Sequence, residues 1–427
     1  MKTPRSPAAV AVALAIVTGG LFAGTPTLFA REGSHAEIER GRYLVAAGDC
    51  AACHTNERGQ PFAGGRAVPT PFGTIYSTNI TPDGPSGIGN WTSDDFYRAM
   101  HEGIGPNGQH FYPAFPYPWY TKLTRADVDA IRAYLATLAP VRQENKPTEL
   151  PWPFDVREVM AGWNALYFKE GTFRSNPQKS AEWNLGAYLV EGLGHCGACH
   201  SPKNFAGAPK RNKAFQGGYG ENWYATSLGG DLHDGLGEWT ADDIVQYLKT
   251  GVNKRAAAFG PMAEVVHDST QYLDEQDLHA MAVYLKDLPP HESTTKPAAT
   301  TTADTGDKPD ADRLARGRGL YIDDCAGCHM ENGEGIAGVF PPLKGNNVVQ
   351  SKDPETVVHV ILTGQKTAVT HDNPSGLAMP AFDWKLSDDE VADLVTYLRG
   401  AWGNRGGAVD GGKVADTRKT LVAARTR

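Results

Sequence analysis

All six cysteines of this chain fall inside three copies of one pattern, Cys-x-x-Cys-His: Cys50-Ala-Ala-Cys53-His54, Cys196-Gly-Ala-Cys199-His200 and Cys325-Ala-Gly-Cys328-His329. Two thiols with two residues between them reach the two vinyl groups of one porphyrin and become thioethers. The imidazole directly after the second thiol is then held under the ring, where it ligates the iron. The pattern therefore reads as covalent attachment of c-type haem. Zinc is the first competitor, but it needs four ligands and usually pairs two Cys-x-x-Cys elements closely. Here each pair stands alone, more than a hundred residues from the next. A redox dithiol has no use for the following His three times over, and disulfides have none either. Three covalent haems are expected, with Cys50, Cys53, Cys196, Cys199, Cys325 and Cys328 as attachment points and His54, His200 and His329 on iron.

An electron carrier usually gives haem iron a second axial ligand, and Met raises the potential. Met is scarce, with seven in the chain. Two of them lie on corresponding loops, Phe259-Gly-Pro-Met262-Ala and Leu377-Ala-Met379-Pro-Ala-Phe382. Met262 and Met379 are thus the expected sixth ligands of the second and third haems, while Met281 and Met330 read as packing. The first loop breaks the pattern: in His110-Phe-Tyr-Pro-Ala-Phe115-Pro, Phe115 occupies the Met position. His110 on the same loop is the first choice to replace it. Met100 and His101, Met160, and an open iron are the alternatives.

Three centres need three scaffolds, and the chain repeats accordingly. Gly41-Arg-Tyr-Leu-Val, Gly186-Ala-Tyr-Leu-Val and Arg316-Gly-Arg-Gly-Leu-Tyr321 lead into the three motifs. A second helix is predicted from Trp91-Thr92 to Gly103, from Trp239-Thr240 to Gly251 and from Asp353-Pro354 to Gly364, since Thr or Asp caps a start and Gly marks a stop. A closing helix begins near Thr124, Asp274 and Ser387, each with an acid three residues on, as in a capping box. Each closing helix carries a Tyr-Leu pair: Tyr134-Leu135, Tyr284-Leu285 and Tyr397-Leu398. This arrangement resembles class I cytochrome c. The predicted fold is mainly α, with three tandem domains, each enclosing one covalent haem. Gly41 and Gly186 permit the first and last helices to cross closely, and the Tyr packs at the crossing.

Length agrees with three small domains: the chain has 427 residues. The expected boundaries are domain 1 at 35–140, domain 2 at 181–288 and domain 3 at 313–402. Lys2 and Arg5 precede an apolar run from Ala8 to about Phe22, which reads as a cleavable signal peptide over 1–30, ending at Ala30 or Ala23. This implies export to the periplasmic side of the bacterial inner membrane, where c-type haem is attached. Cleavage after Ala30 removes Lys2 and Arg5 and takes the formal charge from −8 to −10, which makes nucleic acid an unsuitable partner. Residues 289–312, rich in Thr, Ala, Pro and Asp, read as a flexible linker that lets domain 3 move. The connection 141–180, with Trp152, Phe154, Trp163, Tyr167 and Phe168, is expected to pack over domains 1 and 2, with a partner surface as the alternative reading. Residues 403–427 form a tail of six bases and two acids, either solvated or in peripheral contact with anionic lipid or a partner.

With Trp183-Asn-Leu-Gly-Ala-Tyr-Leu-Val-Glu-Gly-Leu-Gly-His-Cys196, Gly260-Pro-Met-Ala-Glu264 and Phe340-Pro-Pro-Leu343, nearly the whole chain resembles the triheme cytochrome c subunit of bacterial membrane-bound dehydrogenases. That family serves alcohol, gluconate and sugar dehydrogenases, and related cytochromes accompany molybdenum hydroxylases. The resemblance implies a subunit that takes electrons from a separate flavin, quinoprotein or molybdenum dehydrogenase subunit. It hands them to membrane ubiquinone or to a downstream cytochrome or oxidase of the respiratory chain. It also implies that the motif Cys and His residues, Met262 and Met379 hold the haems, and Phe115 departs from members with Met there. The chain carries no Rossmann glycine fingerprint and no nucleophile elbow, so substrate chemistry on CH-OH donors is expected in the partner. The competing readings are a free periplasmic cytochrome c shuttle and a haem peroxidase-type enzyme with open iron at the first site.

Overall fold

Glycine decides how the framework closes. A side-chain carbon at Gly41 would lie 1.9 Å from the carbonyl oxygen of Ala130, and one at Gly186 would lie 1.9 Å from that of Ala280. Gly317 stands the same way, 2.3 Å from the Asp393 oxygen. Each glycine marks where an opening helix crosses a closing helix: His35–Ala47 on Arg125–Leu135, Ala181–Tyr188 on Glu275–Lys286, and Ala311–Asp324 on Asp388–Gly400. The Cβ atoms of Tyr134, Tyr284 and Tyr397 sit against the same three points. The third glycine is a finding of the structure, because its place is hidden in Arg-Gly-Arg-Gly.

The computed structural model describes Met1 and residues 33–291 and 310–425. The signal segment and most of the 289–312 linker lie outside the described residues. The described residues from Gly33 onward form one compact body, mainly helical, with three antiparallel two-stranded ladders, and the three motif-bearing parts of it are its first, second and third units. Among the described residues no helix is long and apolar enough to cross a membrane.

The second helices form where their caps stand. Thr92 and Asp95 make a full capping box for Ser93–Glu102, which stops at Gly103 with φ 69°. Thr240 and Asp243 do the same for Ala241–Thr250, which stops at Gly251 with φ 77°. The closing helices depart from expectation, since only Ser387 and Glu390 complete a box. The reason is tertiary. Asp127 accepts from the Tyr188 hydroxyl at 2.5 Å, and Asp277 accepts from the Tyr43 hydroxyl at 2.5 Å. Each of the first two units thus lends a tyrosine from its opening helix to the closing helix of the other. Their interiors merge as well: Leu44, Ile131, Leu193 and Leu278 belong to one core.

The third unit keeps its own core around Tyr321, Val358, Leu394 and Leu398. It is nonetheless seated on the second. Thr356 Oγ1 donates to Tyr224 O at 2.7 Å and accepts from Tyr224 N at 3.1 Å. Ala368 N donates to Ala258 O at 3.2 Å, and His371 N donates to Gln271 Oε1 at 3.1 Å. A polar and aromatic contact surface therefore stands where free movement of domain 3 was expected. The tail expectation is also corrected. Residues Gly411–Arg425 form a helix that lies on the third unit, with Val409 and Val414 inside its core. Arg418 donates to Asp388, to Asp383 O and to Leu386 O at 2.8–2.9 Å. Leu421 packs against the same core, while Val422 stays exposed.

The aromatic connection packs between the first two units. Trp163, in the helix Val159–Tyr167, clusters with Tyr117 and Ala208, and its indole nitrogen donates to Ala206 O at 2.9 Å.

Candidate haem centres

Each Cys-x-x-Cys-His run coils into one helical turn: Cys50–His54, Gly197–His200 and Ala326–His329. Thiols three apart on such a turn face the same side. Sharp backbone precedes the first two runs. Asp49 has φ 53°, and before Cys196 the opening helix widens into a π turn, Leu189–Leu193, followed by His195 at φ 38°. A π turn rotates the residues beyond it about the helix axis and is common at functional sites. Room beside the thiols is kept by glycine, since a side-chain carbon at Gly220 would stand 2.6 Å from Cys199 Sγ.

The three histidines share one geometry. His54 Nδ1 lies 2.6 Å from Thr78 O, His200 Nδ1 lies 2.7 Å from Thr226 O, and His329 Nδ1 lies 2.9 Å from Pro341 O. A carbonyl only accepts, so Nδ1 carries the proton and Nε2 keeps its lone pair. Burial lowers all three imidazoles below their ordinary range, against the opposing pull of the carbonyls. The result is three neutral, oriented rings, each with a free Nε2, which is the state iron requires. Burial also pushes the Cys50, Cys53, Cys196 and Cys325 thiols up to about 12, so they are held as neutral SH groups. Two thiols and one such imidazole on a single turn fit a covalently bound haem at each run.

The carbonyl partners escape sequence reasoning, because a backbone oxygen leaves no mark on composition. Thr78 follows and Thr226 lies within the second strand of a hairpin, Ala67–Tyr76 and Gln216–Ser227 respectively. In the third unit the Phe340-Pro-Pro-Leu343 segment takes the hairpin's place.

Met262 sits one residue into the helix Pro261–Asp268, half-buried against the shared core and beside Ala258 and Val266. Gly260, at φ 53°, lets the loop pass under the Trp223 indole, which lies 3.0 Å from where a side-chain carbon would stand. Met379 lies in a two-residue strand paired with Gln365–Lys366, half-buried on the third core. Phe115 is wedged edge-on between Phe111, 5.8 Å away, and Tyr120, 5.6 Å away.

His110 lies on the loop that leads to Phe115. Its Nδ1 lies 3.4 Å from the amide nitrogen of Asn164, whose oxygen accepts from the Tyr117 hydroxyl at 2.5 Å. Met100 is buried in the core, and His101 is stacked on Tyr97 with Nε2 3.3 Å from Thr172 Oγ1. Met160 belongs to the cluster around Trp163, and Met281 to the shared core. Met330 ends the third motif turn, where its carbonyl accepts from the Tyr321 hydroxyl.

Two side chains join neighbouring centres. Arg66 donates to Ala52 O, inside the first motif, at 2.5 Å. The same guanidinium reaches Glu221 at 3.0 Å and Glu264 at 2.7 Å, next to the second motif's hairpin and just past Met262. Trp223 spans from Gly260 to His359 of the third unit.

The profile of the cytochrome c family matches residues 38–139 and 314–402. The chain is 39% identical over 430 residues to the gluconate 2-dehydrogenase cytochrome c subunit of Pantoea cypripedii, covering 96% of this chain and 94% of that one. It is 39% identical over 422 residues to the cytochrome c subunit of the alcohol dehydrogenase (quinone) of Gluconobacter oxydans, covering 95% and 87%. It is 36% identical over 435 residues to the fructose dehydrogenase cytochrome subunit of Gluconobacter japonicus, covering 95% and 89%.

Proposed function

The chain belongs to the family of cytochrome c subunits of membrane-bound dehydrogenases, and on that premise we propose that it is a three-haem electron-transfer subunit. It receives electrons from a separate catalytic dehydrogenase subunit and passes them to ubiquinone or another respiratory acceptor. The observation that carries this reading is the threefold recurrence of one site: two thiols on a helical turn and an imidazole whose Nδ1 is held by a carbonyl.

Haem c, when bound, supplies reversible one-electron chemistry at iron. The chain's own part is to hold and orient. Cys50 and Cys53, Cys196 and Cys199, and Cys325 and Cys328 anchor the three rings. His54, His200 and His329 would offer Nε2 to the iron, and Met262 and Met379 would supply a further ligand at the second and third centres. The Thr78, Thr226 and Pro341 carbonyls fix the tautomers. Such a chain acts at the periplasmic face of the inner membrane after removal of residues 1–30.

The test is to purify the chain with its dehydrogenase partner and count haem by pyridine haemochrome. Three haems per chain are expected, with reduction by the partner's donor and reoxidation by a ubiquinone analogue. Two haems or fewer in matured protein defeats the three-site reading. Turnover of peroxide by the isolated chain favours an enzyme, and full activity with no stable partner favours a shuttle. Low-temperature EPR of His110→Ala tests the remaining ligand of the first haem, and a bis-histidine signal that disappears in the variant is expected if His110 fills that place. An unchanged spectrum excludes His110.

A further inference from the structure

The helix Val159–Tyr167 is apolar on nearly every side, Val-Met-Ala-Gly-Trp-Asn-Ala-Leu-Tyr, yet only Trp163 is buried. A helix apolar all round is normally covered on all sides. This one is covered on one side alone, and its outer side leaves Leu166 76% exposed. Nearby, Phe205 is 90% and Trp152 80% exposed. These residues belong to one region. Trp163 Nε1 bonds Ala206 O, the neighbour of Phe205, at 2.9 Å. Phe154 meets Phe72 at 4.9 Å, and Phe72 comes within 3.1 Å of where a Gly207 side chain would stand. Exposed apolar surface on this scale marks a contact site.

Charge selects the occupant. The loop from Pro202 to Ala214 carries Lys203, Lys210, Arg211 and Lys213 and no acid, on a chain whose formal charge is −8. Residues 152–174 of the connection are balanced, with three acids and three bases. Lys210, Arg211 and Lys213 are exposed on the same loop as Phe205, and Arg211 donates to the Tyr167 carbonyl at 2.9 Å, at the end of the helix that carries Leu166. Protein interfaces are depleted of lysine around their apolar centres. Protruding aromatic and aliphatic tips ringed by lysine and arginine instead suit the boundary between acyl chains and phosphate headgroups.

We propose that this face, formed by Trp152, Leu166 and Phe205 with the cations of the 202–214 loop, enters the surface of a membrane containing anionic phospholipid. The inference rests on the reading of the chain as a membrane-side electron-transfer subunit. It assigns the contact to the aromatic connection and not to the basic C-terminal segment, whose Val409, Val414 and Arg418 are engaged on the third unit.

The experiment is sedimentation of the haem-loaded full chain, without its partner, with phosphatidylcholine vesicles that contain or lack phosphatidylglycerol. Wild type is expected to bind the anionic vesicles and to be released by salt. Leu166→Asp with Phe205→Asp is expected to lower binding by about tenfold or more. Lys210→Gln with Lys213→Gln is expected to lower it several-fold and to flatten its salt dependence. Phe205→Ser alone, at a loop position, guards against misfolding and is expected to show a smaller loss with an unchanged haem spectrum. Wild-type binding by the double aspartate variant overturns the proposal, as does no vesicle binding by wild type. Unchanged vesicle binding with loss of the co-purifying dehydrogenase also overturns it and makes the face a subunit interface. Haem count and donor-driven reduction are read separately, so failure of the electron-transfer reading shows independently of lipid binding.

Discussion

The indole of Trp223 lies flat on the imidazole of His359, with ring centres 3.6 Å apart and planes 16° from parallel. Trp223 belongs to the hairpin that serves the second motif, and His359 to the helix Glu355–Thr363 of the third unit. The stack therefore docks the third unit on the second, next to the loop that carries Met262. Trp223→Ala is expected to weaken this docking by about 2 kcal/mol, through the lost ring contact and its buried area. Hydrogen exchange measures it: the Tyr224 amide, which donates to Thr356 Oγ1, should exchange faster. Unchanged protection at Tyr224 would mean that the stack does not hold the units together.

The helix crossings admit no side chain. Gly41→Ala drives a methyl into the Ala130 carbonyl, so the helices must separate, at a cost of about 3 kcal/mol or more. Gly319 is the control. It lies on the opening helix of the third unit with nothing within 4 Å of a side-chain position, and Gly319→Ala is expected to stabilise by about 0.5–1 kcal/mol. Thermal unfolding with haem absorbance compares the two.

Removing residues 405–427 strips Val409 and Val414 from the third core and leaves Asp388 without Arg418. A loss of about 3–5 kcal/mol in that unit is expected, seen as early melting of one haem signal. Were these residues a solvated tail, melting would not change.

Asp243 supplies a pH dependence with a definite sign. Burial raises its carboxyl, but the Thr240 backbone, Lys254, the Thr240 hydroxyl and Arg255 outweigh this and hold it below the ordinary value. A depressed carboxyl stabilises above its unfolded value, roughly 4, and that stabilisation fades as pH falls through the lower folded value. Asp243→Asn should therefore be less stable than wild type by about 2 kcal/mol near neutral pH. The gap should close as pH falls below about 4, as read by denaturant titration across pH. A gap constant down to strong acid would show that the charge contributes nothing.

The chemistry was legible in the residues themselves. Thiols with two residues between them and a following imidazole suit a single porphyrin, and that geometry is local to a single helical turn, so it can be read from the sequence. Gly41, Gly186 and the caps Thr92 and Thr240 were legible for the same reason, because each acts within one helix or at one crossing. What acts across long stretches of chain was decided by the tertiary structure. The carbonyls of Thr78, Thr226 and Pro341 fix the ring tautomers, yet any residue type offers a carbonyl. Tyr43 and Tyr188 reach across to Asp277 and Asp127, which takes those acids away from the caps they were expected to complete. His110 is turned toward Asn164, 54 residues further on. The basic end of the chain looked like a tail because its apolar residues are sparse, and only the groove of the third unit shows that Val414 fills a core position. Local covalent reach is written in the sequence, whereas the choice among possible partners belongs to the packed chain.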